Sequence, residues 1–489
     1  MIKNKFNIFT VVFFMMANVL LHGQLTDHAF LKKDYNAIQF KDSTVLKTFY
    51  SAWDSKKRFS VLHLGDSHLQ NENLPNKCRQ LIQQLLGDGG IGLIQPFSIV
   101  KTYDASFYKS THKGIWEFSK SYMIPPKLPL GVRGMTAKTL DNNATFKITF
   151  NSSPSPQNSI LTVFSQNSED SYDPIFIADS IPAVLISKLG DISKYQLPTK
   201  YQSIQLSLNK TNEKQNQFIL YGMSLSNSDN DFSTWHNAGV GACQYKSVLF
   251  EEKFEEEATF LNPDLVIVDY GTNDFLYTNS IPEQLISEIQ QVITKVKKAN
   301  PRASIILTSA QDMNYKKINV TASKLFSQMI KNIAYENKCG FWDWYLISGG
   351  SHSMNIWQEN KLTMNDGIHL NGKGSELKGT LLVEALKATY NYLKENTKNN
   401  GLNYDDPIEV ETIKDDTIKD VTIKGDIIIE KKSLPKVTPK NTKKIMYKVK
   451  NGDNLGKIAE KFHISLVTLK KRNKLRNNLI KPNQVLLIK

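Results

Sequence analysis

The chain has 489 residues, of which 40% are hydrophobic and 22% charged, with 3 cysteines and a formal net charge of +14. That length calls for about two to four domains, and the composition is that of a folded globular protein, which excludes a disulfide scaffold and a low-complexity chain. The charge is uneven. Residues 441–489 hold thirteen Lys and Arg against only Asp453 and Glu460, a surplus that in an exported chain points to an anionic wall polymer or membrane face rather than to nucleic acid.

In chain order, Met1-Ile2-Lys3-Asn4-Lys5 is a basic start and residues 6–21 are mostly apolar. This reads as an export signal cleaved after Gly23, although Leu21 fits the small-residue rule poorly. No second apolar run of spanning length follows, so no stable membrane span is expected after cleavage. Residues 59–64 read as a buried strand and 76–86 as a helix. From about residue 100 to 226 helical periodicity nearly vanishes. Short alternating runs at 144–150, 159–164, 203–208 and 217–220, separated by Asn, Ser, Pro and Gly, predict an antiparallel sandwich. The α/β alternation then resumes, with strands at 265–270 and 304–308 and helices at 281–299 and 322–337, as expected of a parallel sheet covered by helices. Residues 396–444 carry imperfect Thr-Ile-Lys-Asp repeats and read as an extended tether.

Three short motifs sit at strand ends or on loops that follow them. Gly65-Asp66-Ser67 follows the first strand, Gly271-Thr272-Asn273-Asp274 follows the 265–270 strand, and Asp366-Gly367-Ile368-His369 lies near the end of the same region. Serine needs a base to become a nucleophile. His369 supplies one, and Asp366, three residues earlier, can hold the imidazole in the required tautomer. An oxyanion would be met by the Ser67 N–H, the Asn273 amide and a glycine N–H, for which Gly241 is the candidate. His68 and His236 lack the paired spacing of metal ligands, and neither a metal nor another cofactor is expected.

These blocks, in this order, resemble those of the SGNH (GDSL) hydrolase family, named for its Ser, Gly, Asn and His. The resemblance covers about residues 59–94 and 234–393. It implies a serine esterase with Ser67, Asp366 and His369 as the triad and Ser67, Gly241 and Asn273 as the oxyanion hole, with Gly239 the rival to Gly241 because the family usually has one more residue between its Gly-Val and the oxyanion glycine. A β-rich segment inserted between the first two blocks is similar to the arrangement of two-domain peptidoglycan O-acetylesterases of that family. The last segment, with Tyr447, Gly452-Asp453-Asn454-Leu455, Ile458-Ala459, Phe462, Leu469, Asn473 and Asn483-Gln484, resembles a LysM module. That resemblance implies a small βααβ unit that binds N-acetylglucosamine-containing glycans, with Gly452, Asp453, Asn454 and Leu455 as a groove wall.

The expected architecture is α/β. An SGNH-type three-layer parallel sheet (24–99 and 227–395) is interrupted by an inserted β-sandwich (100–226), preceded by a signal (1–23) and followed by a linker (396–444) and a LysM unit (445–489). The expected activity is that of an exported, periplasmic or wall-associated acetylesterase acting on peptidoglycan. The alternatives are an esterase for another polysaccharide or for lipids, and a wall-binding protein without activity.

Overall fold

The computed structural model describes residues 28–227, 232–400, 446–450 and 453–462, and from the last segment 469–470, 472–473, 475, 480–481 and 484–487. The export signal and nearly all of the tether lie outside these residues. The chain divides into two units, Met1–Thr412 and Ile413–Lys489.

The first unit is built on a five-stranded parallel sheet. Its strands are β1 (Arg58–Gly65), β2 (Phe232–Gly239), β3 (Leu265–Asp269), β4 (Ser304–Thr308) and β5 (Gly340–Trp342), in the order β2-β1-β3-β4-β5. Side chains alternate across a strand, and the sequence exploits both faces. Leu62, Leu64, Val266, Val268, Ile305 and Leu307 enter one apolar cluster with Leu285, Ile289, Phe326 and Ile330. Phe59, Val61, Leu265, Ile267, Ile306 and Trp342 enter another with Phe49, Trp53, Leu74, Ile82, Leu381 and Leu386. The near-continuous apolar runs of β1, β3 and β4 are therefore those of strands buried on both sides. The covering helices include Asn73–Leu86, Leu285–Ala299, Ala322–Glu336 and the long Gly372–Asn400. Each fully buried Leu, Ile or Val in these layers contributes roughly 1.5–3 kcal/mol.

Two antiparallel sheets interrupt this domain between helix Asn73–Leu86 and β2. One contains Ile160–Ser165, Phe218–Ser226, Met135–Thr139 and Glu117–Lys120. The other contains Tyr108–Lys113, Thr145–Phe150, Ser203–Asn209 and Asp173–Ala178. Phe146, Ile148, Leu161, Val163, Phe176, Ile204, Leu206 and Met223 share one buried cluster. The antiparallel pairing begins ahead of residue 100, since Gly92–Ile94 pairs with Phe218–Ser226. The three thiols, Cys78, Cys243 and Cys339, are free and buried.

In the second unit, Met446–Lys448 pairs antiparallel with Val485–Leu487. The helix Leu455–Lys461 is capped by Asn454, whose Oδ1 accepts the Lys457 N–H at 2.9 Å. Asn473 ties the second half to the sheet, donating to the Leu487 carbonyl at 2.9 Å and accepting the Leu487 N–H at 2.7 Å. Val449, Leu455, Ile458, Ala459, Leu469 and Leu486 form the core.

Candidate active site

The site forms at the carboxyl ends of β1, β2 and β3, where parallel α/β sheets place their ligands. β1 ends at Gly65, which pairs in register with Gly239 of β2. Both positions exclude a side chain. A Cβ on Gly65 would meet Leu69 Cδ1 at 2.4 Å, and one on Gly239 would meet Leu69 Cβ at 2.3 Å. The two glycines thus open the space into which the turn after β1 folds Leu69. Asp66 caps the short helix Ser67–Gln70, accepting the His68 N–H at 3.0 Å. The Asp66 carboxylate is thereby spent on shaping the turn that presents Ser67.

Ser67 Oγ lies 2.8 Å from His369 Nε2, and His369 Nδ1 lies 2.6 Å from Asp366 Oδ2. The network assigns the proton to Nδ1, leaving Nε2 to accept from the serine hydroxyl. Asp366 also organises its own loop, since its Oδ1 accepts the N–H groups of Ile368 at 2.8 Å and His369 at 2.9 Å. Burial pushes the Asp366 carboxyl up, but the hydrogen bonds from His369 and Ile368 outweigh it and hold the group below the usual carboxylate range. Gly367, at φ +73, makes the turn between the two.

Asn273 lies on the short helix Thr272–Phe275 after β3. Its Nδ2 donates to the Cys243 carbonyl at 3.0 Å and, more weakly, to Asp66 Oδ2 at 3.4 Å. The first bond orients the amide, and the second N–H is held loosely beside Ser67. The two candidate glycines differ sharply. The Gly239 N–H is taken by Asn237 Oδ1 at 2.8 Å within its own strand. The Gly241 N–H instead donates to Gln70 Oε1 at 2.6 Å, on the helix that carries Ser67.

Two residues of the neighbourhood, Gln70 and Gln311, escaped the sequence reading, and a third, His68, figured in it only as a weighed metal ligand. Gln70 follows Ser67 by about one helical turn, and its Nε2 donates to Thr102 Oγ1 at 2.5 Å. His68 is buried, and its Nδ1 lies 2.9 Å from Asp66 Oδ1. Burial pushes the His68 imidazole down, but the charge and hydrogen bond of Asp66 prevail and raise it above 6.5. Gln311 donates to the Ile368 carbonyl at 2.5 Å, its Nε2 lies 3.1 Å from His68 Nε2, and its Oε1 accepts the Trp344 indole N–H at 3.2 Å. It braces the loop just ahead of His369. The helical spacing of Gln70 from Ser67 was a usable signal; nothing local pointed to Gln311.

Other candidates take structural places. Asp274 accepts the Tyr245 N–H at 3.2 Å, and burial raises its carboxyl well above the ordinary range. Burial pushes the Cys243 thiol up to about 12. In the second unit Asp453 Oδ2 accepts the Tyr447 hydroxyl and the Lys450 N–H, each at 2.8 Å, and Leu455 is buried in the core. Gly452 lies outside the described residues.

A hydroxyl, an imidazole and a carboxylate joined in series beside amide donors, at the mouth of a parallel sheet, are the equipment of a serine ester hydrolase. Residues 225–377 match the GDSL-like Lipase/Acylhydrolase family, and residues 447–489 match the LysM domain. The chain thus carries an acylhydrolase domain and a LysM domain. The acylhydrolase match includes Asn273, Asp366 and His369, while Ser67 lies upstream of it and joins the site through the fold. No curated protein matches the chain by sequence. Among solved structures, one titled "Peptidoglycan O-acetylesterase in action, 5 min" aligns over 73% of this chain and 99% of its own, with 18% identity and a TM-score of 0.59. That likeness is one of fold. A putative acylhydrolase from Bacteroides fragilis (20% identity, 32% of this chain and 76% of its own, TM-score 0.27) and a family two carbohydrate esterase from Cellvibrio japonicus (12% identity, 58% and 99%, TM-score 0.24) also align.

Proposed function

We propose that the protein is an exported esterase that removes O-acetyl groups from peptidoglycan and is held to that polymer by its LysM unit. In this reading Ser67 attacks the acetyl carbonyl while His369 Nε2 takes its proton, and Asp366 stabilises the imidazolium that results. The oxyanion is met by the Ser67 N–H and the Asn273 amide, and by the Gly241 N–H once Gln70 has moved aside. His369 then protonates the departing sugar hydroxyl, and water repeats the sequence on the acetyl-serine to release acetate. The observation that carries the reading is the Ser67–His369–Asp366 series, at 2.8 and 2.6 Å, in a chain that also holds a LysM domain. In the LysM unit Gly452, Asp453, Asn454 and Leu455 belong to the segment that walls the glycan groove.

The deciding experiment measures acetate released from O-acetylated peptidoglycan and from the same material after base treatment, using the full chain and Ser67→Ala. Release only from the acetylated polymer, and only by the unmodified protein, supports the proposal. Release from an acetylated xylan or a lipid ester, with none from peptidoglycan, transfers the activity to another substrate. The anchoring is tested by pelleting with purified sacculi. Deleting residues 441–489 should abolish most co-sedimentation while leaving hydrolysis of a soluble ester unchanged. Equal pelleting of both forms would remove the anchor from the proposal. High salt should weaken binding only in part, because a lysine-rich surface is screened while sugar contacts are not.

A further inference from the structure

Beside the site, on the inserted segment, lies an ammonium group with no counter-charge. Lys120 ends the strand Glu117–Lys120 and is only 8% exposed. Its Nζ reaches the Lys101 carbonyl at 3.4 Å, a long and weak contact. Its other neighbours are rings, with Nζ 5.6 Å from the Phe118 centroid and 5.8 Å from that of Tyr122. Among the described residues no carboxylate lies within ion-pair distance of it. Burial pushes its pKa below the ordinary lysine value. Lys101 stands on the same patch, its Nζ 5.9 Å from the Phe118 centroid.

Two chains of contact join this group to the oxyanion side of the site. From the Lys101 carbonyl the backbone passes to Thr102, which accepts from Gln70, which in turn accepts the Gly241 N–H. Ser121, next to Lys120, has its Oγ 3.1 Å from Cys243 Sγ, and the Cys243 carbonyl accepts from Asn273. The unpaired ammonium is thus tied to the wall of the cleft through Gln70 and through Asn273. Tyr122, whose ring lies beside it, is 40% exposed, and Tyr103, two residues after Lys101, is 84% exposed. Rings that stack on sugar faces beside a cation that lacks an anion make a receptor for an acidic sugar.

Resting on the reading of a wall glycan as substrate, we propose that Lys120, assisted by Lys101, binds a carboxylate carried by the glycan close to the acetyl ester, so that the insertion takes part in substrate selection. The contact is a charge-assisted hydrogen bond in a partly dry setting, which is stronger than a surface ion pair.

The test uses two soluble competitors of p-nitrophenyl acetate hydrolysis by the full chain. N-acetylmuramic acid carries a lactyl carboxylate, and its primary amide has the same shape without the charge. The acid is expected to inhibit at about tenfold lower concentration than the amide. The ratio should fall to about one in Lys120→Met, persist in Lys120→Arg and shrink as salt is raised. An acid that inhibits no better than the amide in the unmodified protein, or a preference that survives Lys120→Met, overturns the proposal. The first comparison needs no variant, so a Lys120→Met protein that fails to fold does not shield the idea. The readout is a ratio on a soluble ester. It therefore stands apart from acetate release on peptidoglycan, and failure of the one is distinguishable from failure of the other.

Discussion

The two halves of the proposed triad are supported in opposite ways. Ser67 rides on a turn whose neighbours are nearly all buried, with Gly65 and Gly239 abutting Leu69 and with Asp66 and His68 closed off from water. Asp366 and His369 lie on a loop with side chains 43% and 37% exposed, pinned by Gln311, by Asp366 itself and by the Met364 N–H bond to the His369 carbonyl at 2.8 Å. The proposed nucleophile is positioned by packing, which tolerates no change of volume, whereas the proposed base is positioned by hydrogen bonds, which can be lost one at a time. The first arrangement makes geometry a property of the whole fold. The second makes it a property of a few polar side chains, each open to separate test.

The largest expected effect comes from removing the nucleophile itself. Ser67→Ala should cut ester turnover by about a millionfold without lowering the melting temperature, because an alanine fits the same helix start. Turnover within tenfold of the unmodified protein would assign the attack to another group. Next comes Asn273→Ala. Loss of an oxyanion donor costs about 100- to 1,000-fold in kcat, with KM little changed. A rise confined to KM would make Asn273 a substrate-binding residue instead.

Gln311→Ala probes the polar support of the base. It leaves the Ile368 carbonyl and the Trp344 indole N–H without their partner, at a cost of about 1–3 kcal/mol in stability. The kcat should fall roughly tenfold, as loss of about 1.4 kcal/mol of positioning does. Unchanged kcat in a destabilised protein would show that the loop holds its shape without Gln311.

The smallest effect is on stability against pH, and it compares two buried histidines of opposite sign. The folded His68 pKa lies above 6.5, so the stability it contributes is fully present below pH 6.5 and is lost as pH rises through the raised value. Burial, with the nearby Arg58 and Arg79 charges, lowers His236 to about 3, so the unfolded chain takes up a proton below pH 6.5 that the folded one refuses. His236 therefore costs stability as pH falls from 6.5 toward about 3. Urea midpoints between about pH 5 and pH 8 should show the advantage over His68→Gln shrinking upward and the advantage over His236→Gln shrinking downward. Parallel curves for the two variants would contradict both assignments.

The same contrast explains what could be read in advance. Asp366 and His369 stood out by their spacing of three residues on a loop, whereas Ser67 and Asn273 stood out because each lies in a short motif at a strand end, announced by an apolar run and a glycine. Strands β1, β3 and β4 fell within a residue or two of the sequence reading for the same reason. The sequence reading assigned no strand to residues 232–239, because Ser233, Thr234, His236 and Asn237 break the apolar run; tertiary cover from the insertion and helix Asn73–Leu86 makes that segment β2. Gln311 and Lys120 were invisible because their meaning comes from partners far along the chain. Gln311 meets His68 across 243 residues, and Gly241 meets Gln70 across 171. Of the segment 452–455 expected to wall a groove, the structure takes Leu455 into a small core and ties Asp453 to Tyr447, demands that local sequence does not display.

The three cysteines set the redox character of the chain. Cys78, Cys243 and Cys339 are all buried, and burial pushes each thiol up, Cys243 and Cys339 to about 12. Almost no thiolate exists at neutral pH, and the thiolate is the species that exchanges with disulfides or meets oxidants. Thiol reagents should therefore find no target among them until the chain unfolds.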